Sequence, residues 1–188
     1  TDGTEGLARP FEARGPVRVL AFPVRRGKAA VVNDLVAAAQ GEIVVCSDAN
    51  VVCPPDALRQ LLRPLADPAV GCVTGDVILL NGHAGWSRGE TLYYRVERFI
   101  QERESRLGSV VGADGGLYAF RRALFTPLDP GAVLDDFIVS MQVALRGFRL
   151  AYAPGARGFE RTAVSLADEF RRRRGYDLAP YWPALAGG

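Results

Sequence analysis

The chain is poor in the residues that build metal cages and covalent staples. Its 188 residues hold one histidine and three cysteines, Cys46, Cys53 and Cys72. An odd number without metal-ligand spacing argues against a disulfide framework and against a zinc site, and reduced thiols in a cytosolic setting fit this usage. Charge of one sign is also scarce: 23 Lys and Arg face 21 Asp and Glu, a net +2, so neither a nucleic-acid partner nor an acidic substrate is implied. No apolar run approaches the roughly 20 residues that a membrane helix needs, and no signal peptide opens the chain, so a soluble piece is expected. The lone His83, in a Gly-rich loop, reads as a surface residue rather than a catalyst.

What is present is apolar content of 48% in a chain long enough to bury about 70% of its unfolded surface, which makes one domain the default. Strand and helix patterns alternate without repeats. Val17 to Phe22 reads as a first strand, Lys28 to Ala39 as an Ala-rich helix after Gly27, and Ile43 to Cys46 as a strand buried on both faces. Pro54 and Pro55 introduce a helix with Leu58, Leu61, Leu62 and Leu65 on its apolar face. Val70 to Val73 and Val77 to Leu80 read as two short strands, and Arg88 to Leu107 as the longest helix, with Leu92, Val96, Phe99, Ile100 and Leu107 on one side. Leu117 to Phe120 is a strand, Leu134 to Leu145 a helix ending at Gly147, Phe148 to Ala153 a strand and Ser165 to Arg174 a helix. From Gly175 the chain is rich in Pro and Gly and reads as irregular.

Four places carry candidate chemistry. The apolar run Ile43 to Cys46 ends abruptly in Ser47, Asp48, Ala49 and Asn50, at a strand's carboxyl end, where open α/β sheets bind ligands. Asp48 and Asn50 offer two hard oxygens suited to Mg²⁺ or Mn²⁺ and to the phosphates such ions carry; the plainer reading is a polar turn. Gly112, Ala113, Asp114, Gly115 and Gly116 form a loop that either lets a ligand approach the backbone or is simply a turn. Asp135 and Asp136 open a helix, a position that the helix dipole favours without any catalytic role. Arg171 to Arg174 read equally well as a phosphate grip and as a solvated helix face.

Taken in order, Gly27-Lys28 before a helix, Asp48-Ala49-Asn50 after a strand, the glycine loop, the pair Asp135-Asp136 and the arginines resemble the family-two glycosyltransferases of GT-A fold, closest to bacterial enzymes of surface polysaccharide synthesis. Any one of these motifs is weak; five in order are more specific. The resemblance implies an α/β fold, a mixed and mainly parallel sheet flanked by helices, over residues 1–175, with 176–188 an irregular tail. Thr1-Asp2-Gly3-Thr4 is similar to the middle of the family's Asp-Gly-Ser-Thr-Asp-Gly-Thr turn. That implies that the first strand and helix, which hold uracil and ribose, are absent from this sequence and that it binds UDP poorly.

The family's activity implies roles for these residues. Breaking a glycosidic bond to a nucleoside diphosphate loads negative charge onto the departing phosphates, and a divalent metal held at the strand end offsets it. Asp48 and Asn50 align with the family's Asp-x-Asp metal motif, with Asn50 a departure that weakens metal affinity or shifts it onto the phosphates. Asp136 aligns with the last acid of a Thr-Glu-Asp-like triplet and would be the general base for the acceptor hydroxyl, giving inversion in a single displacement, with Asp135 in support. Lys28, Arg172, Arg173 and Arg174 would bind the donor phosphates, and Gly112 to Gly116 the acceptor or sugar. No tryptophan matches the family's Gln-x-x-Arg-Trp, since Trp182 comes too late, which argues against processive synthesis. A UDP-sugar donor, a saccharide or lipid-linked acceptor, no nucleic acid and a cytoplasmic place, possible at the membrane through segments outside this chain, complete the expectation. Rival readings are a catalytically silent nucleotide-sugar-binding or interaction domain and a glycoside hydrolase, whose two carboxylates would need no nucleotide.

Overall fold

The computed structural model describes residues 3–80 and 87–161. In chain order they form helices α1 (Thr4–Ala8) and α2 (Lys28–Ala38), strands β1 (Ile43–Ser47) and β2 (Val51–Val52), helix α3 (Ala57–Leu62), strand β3 (Val70–Leu80), helix α4 (Ser87–Leu107), strand β4 (Leu117–Arg121), helix α5 (Asp135–Leu145) and strand β5 (Arg149–Arg161). One sheet runs β1-β4-β3-β5-β2. It is mixed, as expected, but not mainly parallel. Among the described residues β3 and β5 run parallel, while β1 with β4, β4 with β3 and β2 with β5 run antiparallel.

Alternation along β4 shows how the sheet sorts its two cores, because successive side chains of a strand point to opposite faces. Tyr118 and Phe120 join Val32 and Val36 of α2 and Val139 and Val143 of α5 in one cluster. Leu117 and Ala119 join Leu61 of α3 with Leu65, Val73 and Ala151 in the other. All of Leu117 to Phe120 is buried, as the continuous apolar run requires of a strand covered on both faces.

Four expectations need correction. Val17 to Phe22 is irregular and makes no ladder among the described residues; Val17 is exposed, and Val19 N donates to Glu12 Oε1 at 2.7 Å instead. A β-branched run becomes a strand only where a neighbour supplies the hydrogen bonds. β1 is not buried on both faces. It lies at the sheet's edge, half-covered, with Val45 39% exposed. The two short strands expected at Val70 to Val73 and Val77 to Leu80 are one strand, β3, whose pairing with β5 shifts register at Val70/Cys72 and again at Thr74/Asp76. The polar interruption Thr74-Gly75-Asp76 is thus an irregularity within a strand, not a turn between two. Finally, the apolar side of α4 is open where its side chains are described, with Val96, Phe99, Ile100 and Leu107 exposed. The expected helix at Ser165 to Arg174, the tail and His83 lie outside the described residues.

Candidate active site

The carboxyl end of β1 and the amino ends of α2 and α5 meet at one place. Gly27 takes φ 83°, a positive value that suits glycine, and turns the chain into α2 with Lys28 as its first residue. Asp48 follows β1, and its N–H donates to the Gly116 carbonyl at 3.2 Å, so it is tied to the loop ahead of β4. Asp135 and Asp136 open α5, where their charges favour the helix N-terminus.

Lys28 connects these elements. Its Nζ stands 3.3 Å from Asp48 Oδ1 and 3.5 Å from Asp135 Oδ1. Lys28 and Asp48 are about half exposed, whereas Asp135 is buried at 3%. Partial burial pulls the ammonium's pKa down, but Asp135 and Asp48 outweigh it and leave the value raised. Burial pushes the Asp135 carboxyl up, Lys28 pulls it down and the neighbouring Asp136 pushes it up again, with a net rise. Asp135 Oδ2 and the Tyr118 hydroxyl are buried without a hydrogen-bond partner. The Cys46 thiol adjoins that hydroxyl without satisfying hydrogen-bond geometry, and burial raises the pKa of both groups.

The glycine loop closes the other side. Asp114 N donates to Thr74 Oγ1 at 2.9 Å, its carboxylate accepts from Gly116 N at 3.0 Å, and Ala113 N donates to Ser140 Oγ at 3.3 Å. Crowding by protein raises the Asp114 carboxyl's pKa, and Asp136 and Asp48 add to the rise. The glycines permit close approach: a Cβ on Gly112 would lie 2.9 Å from the Phe137 ring, and one on Gly115 would lie 2.5 Å from Asp136 Oδ2. A cleft of about 1240 Å³ opens beside β1 and α2, reaching Lys28, Asp48, Gly115, Tyr118 and Asp135.

Of the residues expected to carry function, Lys28, Asp48, Asp135, Asp136 and Gly115 therefore share one site. Asn50 stands in the turn that follows Asp48, and its Nδ2 donates to Glu160 Oε1 at 2.7 Å. Arg172, Arg173 and Arg174 lie outside the described residues. Sequence reasoning missed Glu160, Tyr118 and Cys46, and neither Glu160 nor Tyr118 stands in a pattern that marks it, since the sheet alone brings them to the site.

Among the described residues no group of three or more His, Cys, Asp or Glu side chains forms a cation cage. The donor set nevertheless fits Mg²⁺ or Mn²⁺, which take one or two protein oxygens and complete their shell with phosphates and water. Asp48 supplies a part-exposed carboxylate, and Asn50 supplies an amide oxygen, because its nitrogen is the end occupied by Glu160.

Comparison with known proteins agrees with this geometry. The chain is 27% identical over 159 residues to poly-beta-1,6-N-acetyl-D-glucosamine synthase of Staphylococcus aureus, covering 82% of this chain and 39% of that protein. The Staphylococcus epidermidis synthase is 22% identical over 197 residues, 98% of this chain and 48% of its own length. The chain thus spans less than half the length of these curated relatives. Among solved structures, the mannosyltransferase PcManGT of Pyrobaculum calidifontis, in complex with GDP-Man and Mn²⁺, superposes with a TM-score of 0.76 at 27% identity, covering the whole of this chain and 53% of that one. Glucosyl-3-phosphoglycerate synthase of Mycobacterium tuberculosis, with Mn²⁺ and UDP-glucose, shares the fold at a TM-score of 0.57 and 22% identity, over 95% of this chain and 64% of that one. The architecture is the GT-A fold. The family described as "Glycosyltransferase like family 2" matches residues 1–176, and the chain belongs to that family.

Proposed function

We propose that the chain is the catalytic part of an inverting glycosyltransferase that moves a sugar from a nucleoside diphosphate to a hydroxyl of a saccharide or lipid-linked acceptor. One observation carries the reading: Lys28 bridges Asp48, at the strand end, to Asp135, beside Asp136 at the start of α5. A cation and acids are thereby gathered where one group must stabilise a leaving diphosphate and another must take a proton.

In the reaction, the acceptor oxygen bonds to the anomeric carbon as the bond from that carbon to the diphosphate oxygen breaks. Asp136 takes the hydroxyl proton, and the diphosphate leaves with the bonding electrons. Asp135, buried and paired with Lys28, holds the ammonium toward the phosphates. Asp48 and the Asn50 amide oxygen would hold Mg²⁺ or Mn²⁺, which supplies charge neutralisation on the diphosphate when bound. The loop from Gly112 to Gly116 forms the wall against which acceptor or sugar would rest, and Arg172 to Arg174 are proposed to add to the phosphate grip.

UDP-sugars are the first donors to try, with GDP-mannose beside them, because PcManGT was solved with GDP-Man and relatives with UDP-sugars. The synthase relatives support a saccharide acceptor and a role in surface polysaccharide synthesis. We propose a cytoplasmic place for this activity.

The test is Asp136→Asn, assayed for donor binding and for transfer. Donor affinity stays within about twofold, while turnover falls by about 10² or more. Unchanged turnover would remove Asp136 from the role of base, and failure of the unaltered protein to transfer any sugar would leave a binding domain.

A further inference from the structure

We propose that Glu160 is a positioning residue for the candidate metal site, acting through Asn50; this rests on the reading of Asp48 and Asn50 as metal-facing groups. Asp48 to Val51 is a tight turn closed by Val51 N donating to the Asp48 carbonyl at 3.1 Å, so Asn50 sits at its exposed corner. The next residue, Val51, pairs directly with Glu160 across the β2–β5 ladder. That register carries Glu160 to the turn, and Asn50 Nδ2 lies 2.7 Å from Glu160 Oε1.

The two ends of a carboxamide differ, and only one of them suits each neighbour. Ionised carboxylate accepts hydrogen bonds and donates none, so it selects the NH₂ end of Asn50. Once that end is occupied, Oδ1 is turned away from Glu160. An amide that would otherwise flip between two nearly equivalent poses is held in the one that leaves its oxygen free. Oxygen, not NH₂, is what a hard divalent cation or its water shell takes.

A neutral ligand thus acquires a fixed orientation from an acid one strand away, in a pattern where Asn50 alone reads as a loss. Glu160 also changes what the turn tolerates. An acid at position 50 would face another carboxylate at hydrogen-bond distance, whereas asparagine turns the same contact into an attraction.

The experiment measures Mn²⁺ affinity in the presence of inorganic pyrophosphate, by titration calorimetry and by the paramagnetic resonance signal of free Mn²⁺. The proteins are the unaltered chain, Glu160→Ala, Glu160→Gln, Asn50→Ala, the double variant Asn50→Ala/Glu160→Ala, and Asp48→Ala, each checked for folding by thermal melting. Loss of one orienting hydrogen bond at an exposed turn weakens Mn²⁺ binding about three- to tenfold in Glu160→Ala. Glutamine accepts from Nδ2 in one pose and donates to Oδ1 in the other, so about half of the amide keeps the competent pose and Glu160→Gln stays within about twofold of the unaltered chain. In the Asn50→Ala background, Glu160→Ala has no further effect.

Full affinity in Glu160→Ala overturns the proposal. So does a Glu160→Gln variant as weak as Glu160→Ala, which would make charge rather than orientation the cause, and so does additivity in the double variant. Asp48→Ala separates the two levels: weakened binding there with an unaffected Glu160→Ala sinks only the positioning role, whereas unchanged binding in Asp48→Ala sinks the metal reading itself.

Discussion

Gly115 and Asp136 are fitted at backbone distance: a Cβ on the glycine would lie 2.5 Å from Oδ2 of the aspartate. The atom that must yield is the far end of a side chain, so Gly115→Ala is predicted to be cheap for the fold and costly for the reaction. Its melting temperature stays near that of the unaltered chain. Turnover falls by about 10- to 100-fold, because a carboxylate displaced by around 1 Å loses its alignment with the acceptor hydroxyl. A variant that melts early yet turns over normally when folded would show that the close approach serves packing alone.

The bridge from Lys28 to Asp135 makes a prediction about stability. Lys28→Met leaves a carboxylate at 3% exposure without its nearest cation and so destabilises the chain. Asp135→Asn in the same chain removes the stranded charge, and the double variant recovers stability relative to Lys28→Met. Denaturant titrations of the four proteins check this, and a double variant weaker than Lys28→Met would contradict it.

The pH dependence has a definite sign. Asp135 carries a pKa raised above its ordinary 3.8, with Lys28, Asp136, Asp48, Cys46 and Tyr118 as the titratable groups around it. Between the unfolded and folded values the folded chain binds more protons than the unfolded one, so stability is greatest below 3.8 for this group and falls as pH rises through its folded value. Asp135→Asn is predicted to flatten that part of the stability curve. Melting curves collected at intervals upward from pH 4 compare the two proteins, and an identical slope in both would exclude Asp135 as a source.

A fourth prediction concerns the core. A Cβ on Gly71 would lie 2.6 Å from Val143 Cγ1, 2.7 Å from Phe148 Cβ and 2.8 Å from Leu124 Cδ1. Three elements would have to part, so Gly71→Ala costs about 1–3 kcal/mol by overpacking. Chemical denaturation measures it directly, and a loss below about 0.5 kcal/mol would mean that the cluster yields more easily than close-packed interiors do.

The sequence was most readable where one local pattern decided the outcome. The Ala-rich run after Gly27 and the acids that open α5 became helices, and the buried run at Leu117 became a central strand. It was least readable where a neighbour decided. Val17 to Phe22 has a strand's composition and lacks a ladder, and the half-buried state of β1 follows from its place in the sheet, which no local pattern records. The site divides likewise. Lys28, Asp48, Asp135 and Asp136 stand in motifs whose order is visible in the chain, although the bridge that Lys28 makes between two acids is not. Glu160 gives no signal at all, because only the pairing of β2 with β5 brings it to Asn50.

The ladder between β1 and β4 pairs Ile43 with Arg121 through to Ser47 with Leu117, and the bond from Asp48 N to the Gly116 carbonyl extends it one step beyond the last paired residues. Asp48 is therefore the terminal tooth of a zipper rather than the tip of a loose loop. A slip of a single residue would carry its carboxylate about 3.4 Å along the sheet and would exchange Cys46 for a neighbour on the opposite face. The spacing between the groups at this site is thus gauged by the sheet itself, and an insertion or deletion far back in β1 or β4 would move Asp48 relative to the loop ahead of β4 as well as repack both cores.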